Sequence, residues 1–294
     1  MASLPTRVAI SPQSALTCVA ATRYVSEGMM EPEIATEESA VPGQLMKDRF
    51  DSLAKEESRS GAVLPSYYAT LSKTLGPRHW WPARTPFEVI VGAILTQNTA
   101  WQNVEKAMVN LRRERLLTPQ AMERVSTQRL ARLVRPSGYF RQKAKKLKAF
   151  VRFLRNEYDG SLPRMFATPT LELREQLLAV FGIGPETADS ILLYAGGHAI
   201  FVVDAYTHRI LGRHGISPGK PDYEAVRAMF EINLPADARF YNEFHALLVN
   251  VGKNCCRPRE PRCSECPLKD HLPADSLHHE RGSDSLPVLI ERPS

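Results

Sequence analysis

The chain has 294 residues, 43% of them hydrophobic, with a formal net charge of +6 and a sequence pI near 9.1. That supplies one sizeable core or two modest ones, and no stretch is long and apolar enough to span a membrane. The positive balance favours a polyanionic partner, although many basic proteins never touch nucleic acid.

Residues 1–60 hold scattered apolar positions without sustained periodicity, then the charge-rich KDRFDSLAKEESRS, and read as a flexible tail. The first acidic residue is Glu27; an acidic-poor start resembles an organelle-targeting peptide, while Met29, Met30 or Met46 could equally begin the natural chain. Ordered structure is expected from Pro65, followed by helices over Phe87–Thr96, Ala100–Arg112, Pro119–Val125, Gln128–Val134 and Gln142–Glu157. The last of these carries Arg141, Lys143, Lys145, Lys146, Lys148, Arg152 and Arg155 opposite an apolar side of Leu147, Phe150, Val151 and Leu154. Its cations are left for solvent or for phosphate.

Thr170 is placed to cap a helix over Leu171–Val180, with Leu173, Leu177, Leu178 and Phe181 on its apolar side. Gly182 and Gly184 stop that helix, Gly184 permitting the positive φ of a tight turn, and Pro185 suits the first turn of the next helix, Pro185–Tyr194. Free N–H groups at its start, beside small glycines, can hold a phosphate without side-chain charge; an ordinary connection between helices reads the same way. Phe201, Val202 and Val203 form a short buried segment before Asp204, which either caps the helix Ala205–His214 or points an ionised carboxylate into a cleft. Helices over Asp222–Ile232 and Ala236–Asn250 follow. Cys256, Cys263 and Cys266 then read C-x6-C-x2-C, and residues 274–294 read as a second tail.

The run LAVFGIGPETADSILLYAGGHAIFVVDAYTHRIL (Leu178–Leu211) resembles the helix-hairpin-helix signature of the endonuclease III superfamily of DNA glycosylases. GAILTQNT and VRPSGYFRQKAKK, in family order, resemble the segments that enter and open the duplex. The resemblance covers roughly Tyr67 to Pro273. It implies an all-α fold of two modules, a six-helix one at 83–198 containing the hairpin, and a discontinuous one built from 61–82 plus 199–273. It also implies catalysis by Asp204, duplex insertion by Gln97 and Tyr139, and DNA-backbone contacts at Gly182, Gly184, Pro185 and Glu186, with Lys143 from the basic helix. HWWP (His79–Pro82) is similar to the base-sandwiching segment of the 3-methyladenine DNA glycosylase III subgroup. Trp80, Trp81 and Pro82 would form a base pocket with Trp101, which lies four residues after Gln97 on what reads as one helix face; the indoles serve equally as core anchors.

Family members that also cut the strand carry a lysine two residues after the second hairpin glycine, which forms a Schiff base; here that position is Glu186. The resemblance therefore implies a monofunctional enzyme that hydrolyses the N-glycosidic bond of an alkylated purine in damaged duplex DNA. The alternatives are an oxidised or deaminated base, or a DNA-structure-binding protein without turnover. The cysteine spacing matches three ligands of the family's [4Fe-4S] loop, but Leu272 stands at the fourth position. Cys255 or His271 could complete a cluster, His271 could complete a zinc site, or the loop holds no metal. The expected protein is monomeric, intracellular and DNA-associated.

Overall fold

The computed structural model describes residues 62–78, 83–216 and 222–273. Trp80, Trp81, Pro82, both tails and Cys18 lie outside the described residues. Among the described residues the regular structure is helical throughout, with no strand.

The first helix, α1, spans 62–75. It is followed by α2 (Pro86–Thr96), α3 (Trp101–Arg113), α4 (Pro119–Arg124), α5 (Thr127–Leu133), α6 (Phe140–Tyr158), α7 (Leu162–Phe166), α8 (Thr170–Leu178) and α9 (Pro185–Ser190). α9 continues as a π-helical turn over Ile191–Ala195, and α10 (Ala205–Arg213), α11 (Tyr223–Asn233) and α12 (Ala238–Asn254) complete the order. Thr85, Thr118 and Ser126 start α2, α4 and α5, each accepting the N–H three residues ahead, and proline follows at the start of α2 and α4.

α7 escapes the sequence reading because its five residues bury only Met165, too few to reveal a period, although Ser161 caps it. α12 outruns its expected end by four residues, to Asn254. Gly252 sits within that extension because a Cβ there would lie 2.4 Å from the Tyr206 ring. Thr170 is not the cap of α8: Pro169 holds the N-cap position without a side-chain bond, and the Thr170 hydroxyl pairs with His198 Nδ1 at 2.9 Å. Phe181 also leaves the apolar side assigned to it and stands 59% exposed.

One apolar cluster runs from Leu64 and Tyr67 through α2, α6 and α8–α12 to Leu268. At its centre Phe201 stacks on Phe230, ring centroids 3.9 Å apart. Burying those rings on the segment before Asp204 fixes where α10 begins. A polar lock joins α8, α9 and α11. The Arg174 guanidinium donates twice to the fully buried Asp189, at 2.7 and 3.2 Å, and once to Glu224 at 2.6 Å, while the Tyr223 hydroxyl donates to Asp189 at 2.8 Å. Every charge in it is paired, as burial requires.

Candidate active site

The hairpin between α8 and α9 is built on Gly182, not on Gly184, as its positive-φ residue: φ is +80° at Gly182 and −98° at Gly184. A side chain at 182 would also meet Lys146, whose Cγ lies 2.5 Å from the Cβ position. Ile183 is buried and pins the turn to the core. Gly184 is the N-cap of α9, with no side chain capping the helix and nothing within 4 Å of where its Cβ would stand. The first turn of α9 therefore starts beside open space.

Gln97 is the C-cap of α2 and is bound to this hairpin. Its Nε2 donates to the Gly182 carbonyl at 3.0 Å and to Thr187 Oγ1 at 2.9 Å, and its Oε1 accepts from Lys146 Nζ at 2.6 Å. Trp101 opens α3, so the two do not share a helix face; the chain turns between them, with Asn98 at φ +52°. The half-buried Trp101 packs on the core and donates its indole N–H to Glu105 at 3.0 Å. Tyr139 stands 70% exposed at φ +42°, directly after Gly138 at φ +69°. Two successive positive-φ residues push the phenol off the end of α6.

Lys143 is not a surface cation. It is 2% exposed, and its Nζ donates to the Leu95 carbonyl at 2.9 Å and the Ser137 carbonyl at 2.6 Å, tying the end of α2 to the turn before Tyr139. Burial, then the charge of Lys146, lowers its amine to about 8. Lys148 and Arg155 are likewise committed, to the Met122 carbonyl at 3.0 Å and to Glu123 at 2.9 Å. Arg141, Lys145 and Arg152 are exposed cations of this helix, as is Arg155 in spite of its ion pair.

Asp204 is the N-cap of α10, its Oδ1 accepting from the Thr207 N–H at 2.8 Å and from Thr207 Oγ1 at 3.0 Å. Oδ2 faces His245 Nε2 at 3.5 Å, and 12% of the side-chain surface stays accessible. Burial pushes the carboxyl up, but His245 and Thr207 outweigh it, so Asp204 is held below the usual carboxylate range. Capping and a reactive carboxylate are compatible here, because one oxygen serves each.

Glu186 stands in the first turn of α9 with an exposed side chain. Its carboxyl lies close enough to Asp204 that partial burial, then the Asp204 charge, raises it to about 7. Tyr194 and His245, absent from the sequence reading, close the group: the Tyr194 hydroxyl pairs with His245 Nδ1. Fifty-one positions separate them, beyond any local spacing signal.

In the C-terminal loop, Arg213 donates to the Arg257 carbonyl at 2.6 Å, the Pro258 carbonyl at 3.1 Å and the Cys256 sulfur at 3.3 Å. Arg209 donates to the Cys256 carbonyl at 2.7 Å. Burial, then the neighbouring Cys255, Cys256 and Cys263, pushes the Cys266 thiol up to about 12. His271 packs against the Tyr67 ring with Nε2 at 3.1 Å from Thr70 Oγ1, a contact it would have to give up to act as a metal ligand through that nitrogen. Among the described residues no three potential ligands are already closed on one point.

A glycine hairpin with no side-chain cap on the helix it opens, in a helical frame and followed by a carboxylate at the next helix start, is an arrangement able to hold a phosphate close to a reactive oxygen. Residues 91–235 match the HhH-GPD superfamily of base excision DNA repair proteins. "Putative DNA repair glycosylase MJ1434" of Methanocaldococcus jannaschii is 46% identical over 205 residues, 69% of this chain and 92% of the relative. Endonuclease III of Thermotoga maritima is 32% identical over 207 residues, 70% and 90% of the two. Among solved structures, H. pylori 3-methyladenine DNA glycosylase (MagIII) bound to 1,N6-ethenoadenine superposes with a TM-score of 0.56 at 30% identity, covering 66% of this chain and 97% of that one. A trapped endonuclease III–DNA covalent intermediate shares the fold, with a TM-score of 0.65 at 22% identity over 75% of this chain and 99% of that one. The chain belongs to the HhH-GPD superfamily and is a DNA glycosylase of base excision repair.

Proposed function

We propose that the protein is a monofunctional glycosylase that hydrolyses the N-glycosidic bond of an alkylated, 3-methyladenine-like purine in duplex DNA. The observation that carries this reading is that Glu186, two residues after Gly184, stands beside Asp204 at the position where the strand-cutting members carry an amine. The likeness to the 3-methyladenine glycosylase supports the substrate class. Main-chain N–H groups at Gly184 and the first turn of α9 hold a phosphate, Tyr139 wedges the duplex, and Gln97 leaves the hairpin to fill the gap. The flipped base enters toward Asp204, between the two modules, 83–198 and 61–82 plus 199–273, and the sequence resemblance alone offers Trp80, Trp81 and Pro82 as its pocket. Asp204 stabilises the positive charge developing on the sugar and orients water. A cationic alkylated base leaves unaided; a neutral base such as an oxidised or deaminated one draws a proton from Glu186 while that group is still protonated.

Endonuclease III as a relative favours the reading with strand cleavage, because its trapped DNA complex is covalent. Single-turnover assays on a panel of damaged duplexes, with borohydride added in parallel, separate the readings. Release of free alkylated base without a trapped adduct supports the proposal; an adduct overturns the monofunctional part, and binding without base release leaves a DNA-structure-binding protein.

A [4Fe-4S] group would be held here by Cys256, Cys263 and Cys266 with Cys255 as the fourth sulfur, four thiols near enough for the other three to act on Cys266. A cluster there stiffens the loop, and the hydrolysis needs no electron from it. Iron, sulfide and zinc analysis of anaerobically purified protein tests this: stoichiometric zinc without sulfide favours the zinc site, and no metal leaves the loop held by its arginines alone.

A further inference from the structure

The buried pair Tyr194–His245 has no part in the glycosylase reaction so far, yet it meets the one carboxylate on which that reaction depends. His245 is 5% exposed on α12, with Nδ1 paired to the Tyr194 hydroxyl and Nε2 lacking a full hydrogen bond. The acceptor facing that nitrogen is Asp204 Oδ2, at 3.5 Å, the long edge of a hydrogen bond. Buried polar nitrogens are rarely left without a partner, and a small shift of either side chain closes this one. Oδ1 is already fixed by Thr207 from the opposite side.

We propose that Tyr194 and His245 form a positioning relay in which the tyrosine hydroxyl donates to Nδ1, sets the imidazole in its Nε2–H form, and so aims the free oxygen of Asp204 at the sugar. The inference rests on the reading of Asp204 as the reactive carboxylate. Tyr194 lies in the π-helical turn, which re-aims side chains relative to an α-helix, and such turns frequently sit at functional sites. Burial, and then the carboxylates of Asp204 and Glu186, push the Tyr194 phenol well above the ordinary value, so it keeps the proton that the relay has it donate to Nδ1. With Nδ1 accepting, Nε2 carries the hydrogen that Asp204 requires. A donor on Nε2 orients the carboxylate from one side while Thr207 holds Oδ1.

The relay is tested by single-turnover base release across pH with intact protein, comparing wild type with H245L, H245Q, Y194F and D204N. The groups facing Asp204 are Glu186 from α9, Tyr194 from the π turn, His245 from α12, and Tyr206 and His208 on its own helix. Glu186 titrates near 7, well above Asp204, so the two limbs of the profile are separable. H245L is expected to slow base release by about 10-fold to 100-fold, the usual range for loss of an orienting partner, with DNA binding retained. Its acid limb moves upward because Asp204 loses a donor. H245Q, whose amide places an N–H near the same spot, restores both features in part. Y194F shifts the limb the same way by less, and carries the test should H245L fail to fold. A purely structural role would lower the melting temperature and leave the limb in place. An unmoved limb in folded Y194F and H245L overturns the relay. Undiminished base release by D204N overturns the Asp204 reading itself, so the two failures are distinct.

Discussion

The hairpin and the carboxylate group are neighbours built by opposite means. The hairpin is made of backbone: a positive-φ glycine, a second glycine facing open space, a buried isoleucine between them and an uncapped helix start. All of it lies within a few consecutive residues. The carboxylate group is made of side chains from α9, the π turn, the start of α10 and α12, and Asp204 is held below the usual carboxylate range because His245 and Thr207 outweigh its burial. A backbone device tolerates changes in side-chain charge and fails on changes of shape; a side-chain device does the reverse.

That contrast is broken most severely at Asp204. D204N, nearly isosteric, is expected to reduce single-turnover base release by about 1000-fold or more, while a binding assay on damaged duplex shows nearly wild-type affinity. Retained excision would contradict the side-chain account of the site. Shape is tested at the two glycines. G182V places a branched side chain at φ +80° against Lys146 and is expected to destabilise the fold by about 1–3 kcal/mol, measured by chemical unfolding. G184V meets no atom and keeps φ in the ordinary region, so its melting temperature stays close to wild type while affinity for damaged and undamaged duplex falls together, by about tenfold. Unchanged binding by folded G184V would remove the hairpin as the phosphate grip.

A gentler probe uses pH. Glu186 is raised above the ordinary carboxylate value, so it is protonated below about 7 and ionised above. Excision of a neutral base is expected to fall as pH rises through that value, by up to about tenfold per pH unit, whereas excision of a cationic alkylated base stays flat across the same range. E186Q should abolish the fall. The smallest effect belongs to the C-terminal loop, where H271A is expected to leave iron content unchanged and C255S to lower it, because His271 is engaged with Thr70.

Most helices were legible because they start with a proline or a capping hydroxyl and bury a regular stripe, as α2, α4 and α5 do. The hairpin was legible for the same local reason, although the positive φ was assigned to the wrong glycine: both fit the pattern, and the choice depends on Lys146 lying across position 182. The basic helix shows the limit of periodicity. Lys143 falls on the polar side by spacing, yet its long stem reaches inward and its amine satisfies two carbonyls, Leu95 at the end of α2 and Ser137 in the turn before Tyr139. Phe181 fails in the other direction, an aromatic by type standing in solvent by position. Asp204 could be named from its neighbours in sequence, but not His245 or Tyr194, since the π turn that directs Tyr194 leaves no mark in a hydrophobic pattern.

The contact between Gly252 and Tyr206 sets a rule for how this chain can vary. The tyrosine ring occupies the volume a Cβ at position 252 would need, at 2.4 Å, so α10 and α12 meet there ring against main chain. No residue larger than glycine fits at 252 while the ring stays in place, and shrinking the ring alone leaves a void beside the helix that carries His245. The two positions are therefore coupled. Functional variants recovered from a library randomised at both should either keep glycine opposite the aromatic ring or exchange the two together, a larger side chain at 252 always accompanied by a smaller one at 206.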